Sequence, residues 1–160
     1  MLHQFLLPNK YKKWGWFLLI PSTIVGIILI TNGIENLPLN TKVFAIYNDE
    51  IFGKSEFFSV IKTNITGTLV GSLFIIGGIL IVFSKEKNED EFIANLRQSS
   101  LLWAVLVNYI LLLFSFVFIY GIAFMNIMLF NMFTVLIIFI VRFNYVLYRN
   151  SKFNSDEKYH

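Results

Sequence analysis

The chain has 160 residues, of which 56% are hydrophobic and only 14% are charged, whereas an ordinary soluble domain has about 25% charged residues. The apolar residues are grouped in runs of about 18 or more, the length that spans a hydrocarbon layer about 30 Å thick. This pattern excludes a disordered protein and favours an integral membrane protein. The formal net charge of +3 then reflects membrane topology, so we predict no direct binding to nucleic acid.

The first apolar run covers residues 16–34 and follows three lysines, Lys10, Lys12 and Lys13. A basic start before an apolar stretch is also typical of a signal peptide. The run is long for a signal peptide and ends in Thr-Asn-Gly rather than in an alanine-like cleavage site. We therefore interpret it as an uncleaved first span.

Three further runs follow, at residues 65–84, 101–120 and 126–145, and the last two are separated only by a short break between Gly121 and Asn126. Two apolar runs so close together predict a tight helical hairpin. The predicted fold is an all-α membrane protein, a single bundle of four transmembrane helices over residues 1–160. An extracytoplasmic loop at 35–64 and a cytoplasmic segment at 85–100 connect the spans.

The distribution of Lys and Arg outside the spans predicts the orientation. The N-terminal tail has three, residues 85–100 have three and the chain from Arg142 onward has four, whereas the 35–64 loop holds the remaining three, Lys42, Lys54 and Lys62. Cytoplasmic loops carry the excess of positive charge. Both termini and the 85–100 segment are therefore predicted to be cytoplasmic, as in a multi-pass protein of the bacterial inner membrane.

Small residues on two spans predict close helix packing. Gly67, Gly71 and Gly78 lie on one face of the second span, and Ser22 and Gly26 repeat the four-residue spacing in the first. Small residues let helix backbones approach each other in lipid. The two faces would pack against each other within one bundle, or one of them would form the seam of a homo-oligomer.

Polar side chains within the third and fourth spans include Asn108, Ser115 and Asn131. If the hairpin turns near Ala123, Ser115 lies opposite Asn131 and can form a hydrogen bond with it, while Asn108 has no partner from spacing alone. These residues either join the helices or line a path through the membrane.

Ionisable side chains are absent from the middle of every span, and the two histidines, His3 and His160, lie at the ends of the sequence. Ionisable groups in the membrane mark proton relays and ion-coupled transport, so their absence argues against a proton-driven pump. We find no residue set for a nucleophile, base or metal site, and predict no catalytic residues, cofactor or metal.

The 35–64 loop alternates apolar and polar residues and carries several aromatics. It is too short for a core of its own, so we expect a short strand or helix that lies on the bundle. It either caps the helix ends or senses a ligand outside the membrane.

The cytoplasmic segment predicts a lead-in helix to the third span. Asn88 is placed as the N-cap, with Glu89, Asp90 and Glu91 in the first turn, where the helix dipole favours negative charge. Arg97 lies two turns beyond Asp90. This helix either lies on the inner membrane surface or offers Glu89, Asp90, Glu91 and Arg97 as a docking face for a cytoplasmic partner.

The stretch 88–103, the tight hairpin after it and the Arg-Phe-Asn-Tyr sequence at 142–145 together resemble a group of small bacterial four-helix membrane proteins of unknown function. In related families an acidic pair precedes the third helix and is often followed by Arg; here Asp90 and Glu91 match the pair and Phe92 stands in place of the Arg. Genes of this kind often lie beside a small helix-turn-helix regulator. The resemblance therefore implies a membrane partner for a transcription regulator.

The leading functional hypothesis is a non-enzymatic inner-membrane accessory or signalling protein that engages such a cytoplasmic partner. The alternative is a small oligomeric channel or facilitator, built along the glycine face, with Asn108 and Asn131 lining the pore.

Overall fold

The computed structural model describes residues 6–32, 39–48, 56–87 and 89–156. The helices and strands in chain order are α1 (Lys10–Asn32), β1 (Asn40–Asn48), β2 (Glu56–Asn64), α2 (Thr66–Val82), α3 (Glu91–Phe118) and α4 (Ile122–Asp156).

Three of the helices, α1, α3 and α4, are long and apolar enough to cross a membrane. Helix α2 is equally apolar in character but has 17 residues, which at 1.5 Å per residue gives about 26 Å and places it at the short end of the range for a span. The apolar runs of the sequence therefore form helices, and α3 begins well before its predicted span, at the lead-in segment.

The expectation of an all-α fold is wrong in one respect, because β1 and β2 form a two-stranded antiparallel sheet. Asn40 pairs with Asn64 at one end and Asn48 with Glu56 at the other. Both strands are rich in β-branched and aromatic residues, which favour the extended conformation. Residues 33–38 and 49–55 of the predicted loop lie outside the described residues.

The described chain divides into two compact units. The larger unit consists of residues 1–19 and 75–160, and its buried core is made of aliphatic and aromatic side chains from α2, α3 and α4, with Ala104 and Phe139 almost completely buried. Phe139 and Phe143 stack with ring centroids 5.7 Å apart. The core is concentrated at the end of the unit where the lead-in segment joins α3.

Helices α1 and α2 approach each other closely in the larger unit at Gly15 and Gly77, two glycines outside the predicted packing faces. A Cβ atom added at Gly15 would lie 2.9 Å from the Gly77 carbonyl oxygen, and one added at Gly77 would lie 2.9 Å from the Leu19 nitrogen. Both distances are shorter than real contacts, so the two backbones can meet only where side chains are absent. The neighbouring Gly78 instead faces Leu136 of α4, 3.1 Å from its added Cβ.

Helices α3 and α4 are joined by a turn of three residues. Helix α3 ends with Ile119 as C-cap, whose backbone N–H donates to the Ser115 carbonyl oxygen, and Gly121 takes a φ of +73°. Glycine adopts this left-handed conformation without steric cost. The expected turn near Ala123 is therefore wrong, since α4 begins at Ile122 and includes both Ala123 and Asn126.

The smaller unit, residues 20–74, contains the hairpin and the adjoining parts of α1 and α2. Hydrogen bonds tie the strands to the start of α2. The Ile65 N–H donates to the Leu39 carbonyl (3.1 Å), the Leu39 N–H donates to Thr66 Oγ1 (3.3 Å), and the Thr66 N–H and Oγ1 both donate to Asn64 Oδ1 (2.9 and 2.6 Å). Of the predicted packing residues, Ser22 is buried, Gly26 makes an ordinary contact with Val70, Gly71 is half-buried and Gly67 has open space around its α-carbon.

Candidate functional site

The lead-in segment of α3 is capped by Asp90 rather than by Asn88, which lies outside the described residues. Asp90 has an extended backbone with φ −116°, and its carboxylate accepts a 2.8 Å hydrogen bond from the Ile93 N–H. This is the usual N-cap arrangement, in which a side-chain oxygen satisfies one of the free N–H groups of the first turn. Glu91 is then the first helical residue, and its charge lies where the helix dipole favours an anion.

Arg97 joins α3 to the end of α2. Its Nη1 donates to the backbone carbonyls of Val82 (2.6 Å) and Ser84 (3.0 Å). The last carbonyls of a helix have no hydrogen-bond donor within the helix. The Arg97 guanidinium supplies that donor for the carbonyls at the end of α2. Arg97 is therefore a structural link between two helices that are adjacent in the chain.

Glu89 completes this arrangement, which we call the Arg97 clamp. The Nη2 of Arg97 donates to both carboxylate oxygens of Glu89, at 3.1 and 3.2 Å, and Glu89 also accepts a 2.7 Å bond from the Glu86 N–H. The guanidinium lies 5.2 Å from the centroid of the Phe143 ring in α4. The side chains of Arg97 and Glu89 are only 14% and 10% exposed, so they bind each other and offer little surface to a partner.

The segment before α1 is held to the same region. Leu7 forms a parallel β-bridge with Ser84, in which Leu7 N–H donates to the Phe83 carbonyl (2.7 Å) and Lys85 N–H to the Leu7 carbonyl (2.8 Å). Asn9 Nδ2 donates to the Lys85 carbonyl at 2.7 Å, and Lys12 forms an ion pair with Glu86. The link between α2 and α3 is thus fixed from two sides.

Of the four residues predicted to dock a partner, the clamp takes Glu89 and Arg97 and the helix cap takes Asp90. Glu91 is exposed, and so are its neighbours Phe92, with 51% of its surface accessible, and Asn95. Ile93 and Leu96 point into the core instead. We call Glu91, Phe92 and Asn95 the outer face of the lead-in helix.

The polar residues of the apolar helices are paired differently from the prediction. Asn108 Nδ2 donates to Asn131 Oδ1 at 3.2 Å, and Asn131 Nδ2 donates to Asn108 Oδ1 at 3.1 Å. Ser115, the expected partner of Asn131, donates to the Leu111 carbonyl of its own helix at 2.8 Å. The expected Ser115–Asn131 bond is therefore wrong.

The position of the turn explains this difference. The three-residue turn is centred on Tyr120, about three residues before Ala123, which moves the residue opposite Asn131 back by about six or seven, close to two helical turns. Two turns return to the same helix face, so Asn108 replaces Ser115 as the facing residue. The rings of Phe116 and Phe124, 5.6 Å apart, also lie opposite each other, in nearly the same register of α3 against α4 as the two asparagines.

A cavity of about 350 Å³ lies beside the Lys12–Glu86 pair. It is lined by polar residues, which we call its rim, and by apolar residues, which we call its floor. The rim consists of Asn9, Lys12, Lys13, Glu86 and Lys87, and the floor of Trp16, Ile93 and Leu147. We call it the lysine pocket. Sequence reasoning did not find it, because its rim combines the start of α1 with the α2–α3 link, more than 70 residues apart in the chain.

A comparison of the chain with protein-family models, with curated proteins and with solved structures found no match. Among the residues that the structure describes, no group of three or more His, Cys, Asp or Glu is placed to hold a metal ion.

Proposed function

We propose that the protein is a non-enzymatic accessory or signalling protein of the bacterial inner membrane, and that it binds a soluble cytoplasmic partner through the outer face of the lead-in helix. The observation that carries this proposal is the Arg97 clamp. Its hydrogen bonds to the end of α2 and to Glu89 fix the lead-in helix, and the exposed Glu91, Phe92 and Asn95 are thereby presented on a rigid element.

The proposed topology has four spans with both termini in the cytoplasm. Its support is the charge distribution, ten Lys and Arg residues on one side of the spans against three on the other. Helix α2 is short for a span, but its 17 residues are predominantly apolar and include no charged side chain. In this orientation the β1–β2 hairpin lies outside and the Arg97 clamp inside.

Phe92 is the proposed anchor of the interface. About half of its surface is exposed, whereas the neighbouring apolar residues of the same helix, Ile93 and Leu96, are buried in the core. Aromatic residues are enriched at the centre of protein interfaces, and a few such anchors carry most of the binding energy. The partner chemistry that fits this face is an apolar recess for Phe92 beside a basic group for Glu91. The resemblance to four-helix proteins encoded beside helix-turn-helix regulators suggests a transcription regulator as that partner.

The test is purification of the tagged full-length protein from its native membrane in a mild detergent, with co-purifying soluble proteins identified and quantified by mass spectrometry. We expect a stoichiometric soluble companion with the unmodified chain. The Glu91→Gln/Phe92→Ala variant should retain at most a tenth of that companion, since truncation of an anchor residue costs at least about 2 kcal/mol of binding. Loss of the Glu91 charge from the first helical turn should cost at most about 1 kcal/mol of stability, so the variant should still fold.

Leu102→Ala is the matched control, because Leu102 is another exposed large hydrophobic residue further along the same helix, within the apolar part. It should keep the companion. Charge reversal at Asp90 is a poor test, since it also removes the N-cap bond to Ile93. A companion that is bound equally by the Glu91→Gln/Phe92→Ala variant, or a purified protein without any companion, would contradict the proposal.

A further inference from the structure

We propose that the lysine pocket binds an anionic phospholipid of the cytoplasmic leaflet, with the phosphate at Lys13 and Lys87 and the beginning of an acyl chain on the apolar floor. The inference rests on the membrane orientation given above but not on the protein partner. A volume of about 350 Å³ is within the range of small-molecule sites, about 300–1,000 Å³.

The charges of the rim select an anion. Lys12 is neutralised by Glu86 in an ion pair whose side chains are 15% and 12% exposed. Lys13 and Lys87 are exposed and have no acidic partner within the described part of the chain. Two positive charges at the cavity therefore remain for a ligand, and phosphate is the anionic group that membranes supply.

The floor of the pocket favours a lipid over a soluble phosphate compound. Trp16, Ile93 and Leu147 present an apolar surface, which a small phosphorylated metabolite would leave uncovered and which an acyl chain covers. The floor is continuous with α1, one of the helices long enough to cross a membrane. A ligand in this pocket therefore meets a charged surface and an apolar surface, as a phospholipid requires for its headgroup and acyl chain.

The aromatic residues at the start of α1, of which Trp16 lines the pocket, point to a position at the headgroup level. Tyr11, Trp14 and Trp16 lie in the first two turns of α1, and Trp14 is 62% exposed. Trp and Tyr concentrate at the boundary between hydrocarbon and water. Basic pockets between helices on the cytoplasmic side are known to take anionic headgroups, and here the aromatic belt and the lysines coincide.

The experiment measures lipid binding to the purified full-length protein in detergent, by native mass spectrometry and by the thermal shift on titration with phosphatidylglycerol. Phosphatidylcholine is the uncharged competitor and glycerol phosphate the free-phosphate competitor. We expect phosphatidylglycerol to bind at least tenfold more tightly than either. The Lys13→Gln/Lys87→Gln variant should lose at least tenfold in affinity, since each lysine near a membrane surface contributes about fivefold.

Lys42→Gln/Lys62→Gln is the matched control, because it removes two exposed lysines that pair across the β1–β2 hairpin. It should bind phosphatidylglycerol like the unmodified chain. Equal binding of phosphatidylcholine, equal protection by glycerol phosphate, or an equal loss of affinity in both double variants would overturn the proposal. Since no partner protein is present in this assay, its result is independent of the proposed binding of a cytoplasmic partner.

Discussion

Asn108 and Asn131 exchange two amide hydrogen bonds between α3 and α4, and only 3% of the Asn108 surface is exposed. Each amide group is the donor and the acceptor for the other, so the pair is satisfied within one chain. Removal of one partner leaves a buried polar group without a bond, which costs more than replacing both partners by apolar groups of similar shape.

This reciprocity gives a prediction for a double-mutant cycle. Asn108→Leu and Asn131→Leu should each destabilise the bundle, and the double variant should be less destabilised than the sum of the two. The expected coupling is about 0.6 kcal/mol, and at most about 1.7 kcal/mol, as for other hydrogen bonds between membrane helices. The measurement is the free energy of unfolding in detergent or bicelles.

Ser115→Ala is the control, because the Ser115 hydroxyl donates to the Leu111 carbonyl within its own helix, and it should be neutral within about 0.5 kcal/mol. Strict additivity of the two asparagine variants would show that the amides do not interact.

The residue types of the site were predictable from the sequence, but their partners were not. Asn108 and Asn131 stand out as polar residues in apolar runs, whereas their pairing depends on the exact position of the turn. Arg97 stands out as a charge beside a span, yet its partners include the backbone carbonyls of Val82 and Ser84. Every residue has a carbonyl group, so no residue type in the sequence marks these two as acceptors.

At the scale of the helices, the contact between α1 and α2 depends on Gly15 and Gly77. The adjacent glycines Gly77 and Gly78 point about 100° apart around the helix axis, and they face α1 and α4 respectively. One short helix thus uses two glycines to pack against two neighbours. The predicted Gly67, Gly71 and Gly78 face accounts for only the second of these contacts.

Alanine substitution separates these roles. Gly77→Ala places a Cβ 2.9 Å from the Leu19 nitrogen, so the helices must move apart, and we expect a loss of about 1–3 kcal/mol, as for other overpacked sites. Gly67→Ala has no atom within 4 Å of the new Cβ and should leave stability unchanged or raise it by up to about 1 kcal/mol. Thermal unfolding in one detergent compares the two variants. Equal melting temperatures would show that this crossing is not a tight contact.

The elements differ in how far their sequences determine them. The three long helices could be predicted from apolar runs that are about as long as a membrane span. The only sequence signal for the β1–β2 hairpin is a weak alternation of apolar and polar residues. Apolar residues such as Phe44 and Ile46 are equally compatible with a helix at the membrane–water interface. Strand pairing is a contact between two segments, so the pattern within either one leaves it undetermined.

For the whole molecule, the proposed topology places the β1–β2 hairpin and the lead-in helix on opposite sides of the membrane. The chain contains no cysteine, so a single introduced cysteine is a unique label. Thr41→Cys in β1 and Ser99→Cys in α3 are both at exposed positions. In spheroplasts a membrane-impermeant maleimide should label the first, and should label the second only after permeabilisation.

This pair of variants also tests whether the short helix α2 crosses. Labelling of Ser99→Cys and Thr41→Cys from the same side would show that α2 does not span the membrane. Labelling of Ser99→Cys alone in intact spheroplasts would reverse the orientation, and it would place the outer face of the lead-in helix and the lysine pocket outside the cell.

The backbone bridge between Leu7 and Ser84 has a consequence for biosynthesis. The two residues are separated by 77 positions, and at about 5–20 residues per second a ribosome needs about 4–15 s to make the intervening chain. Throughout that interval the nascent N-terminal segment has no strand to pair with. The start of α1 therefore cannot be secured to the α2–α3 link until that link has left the ribosome, and its final packing is a late event in synthesis.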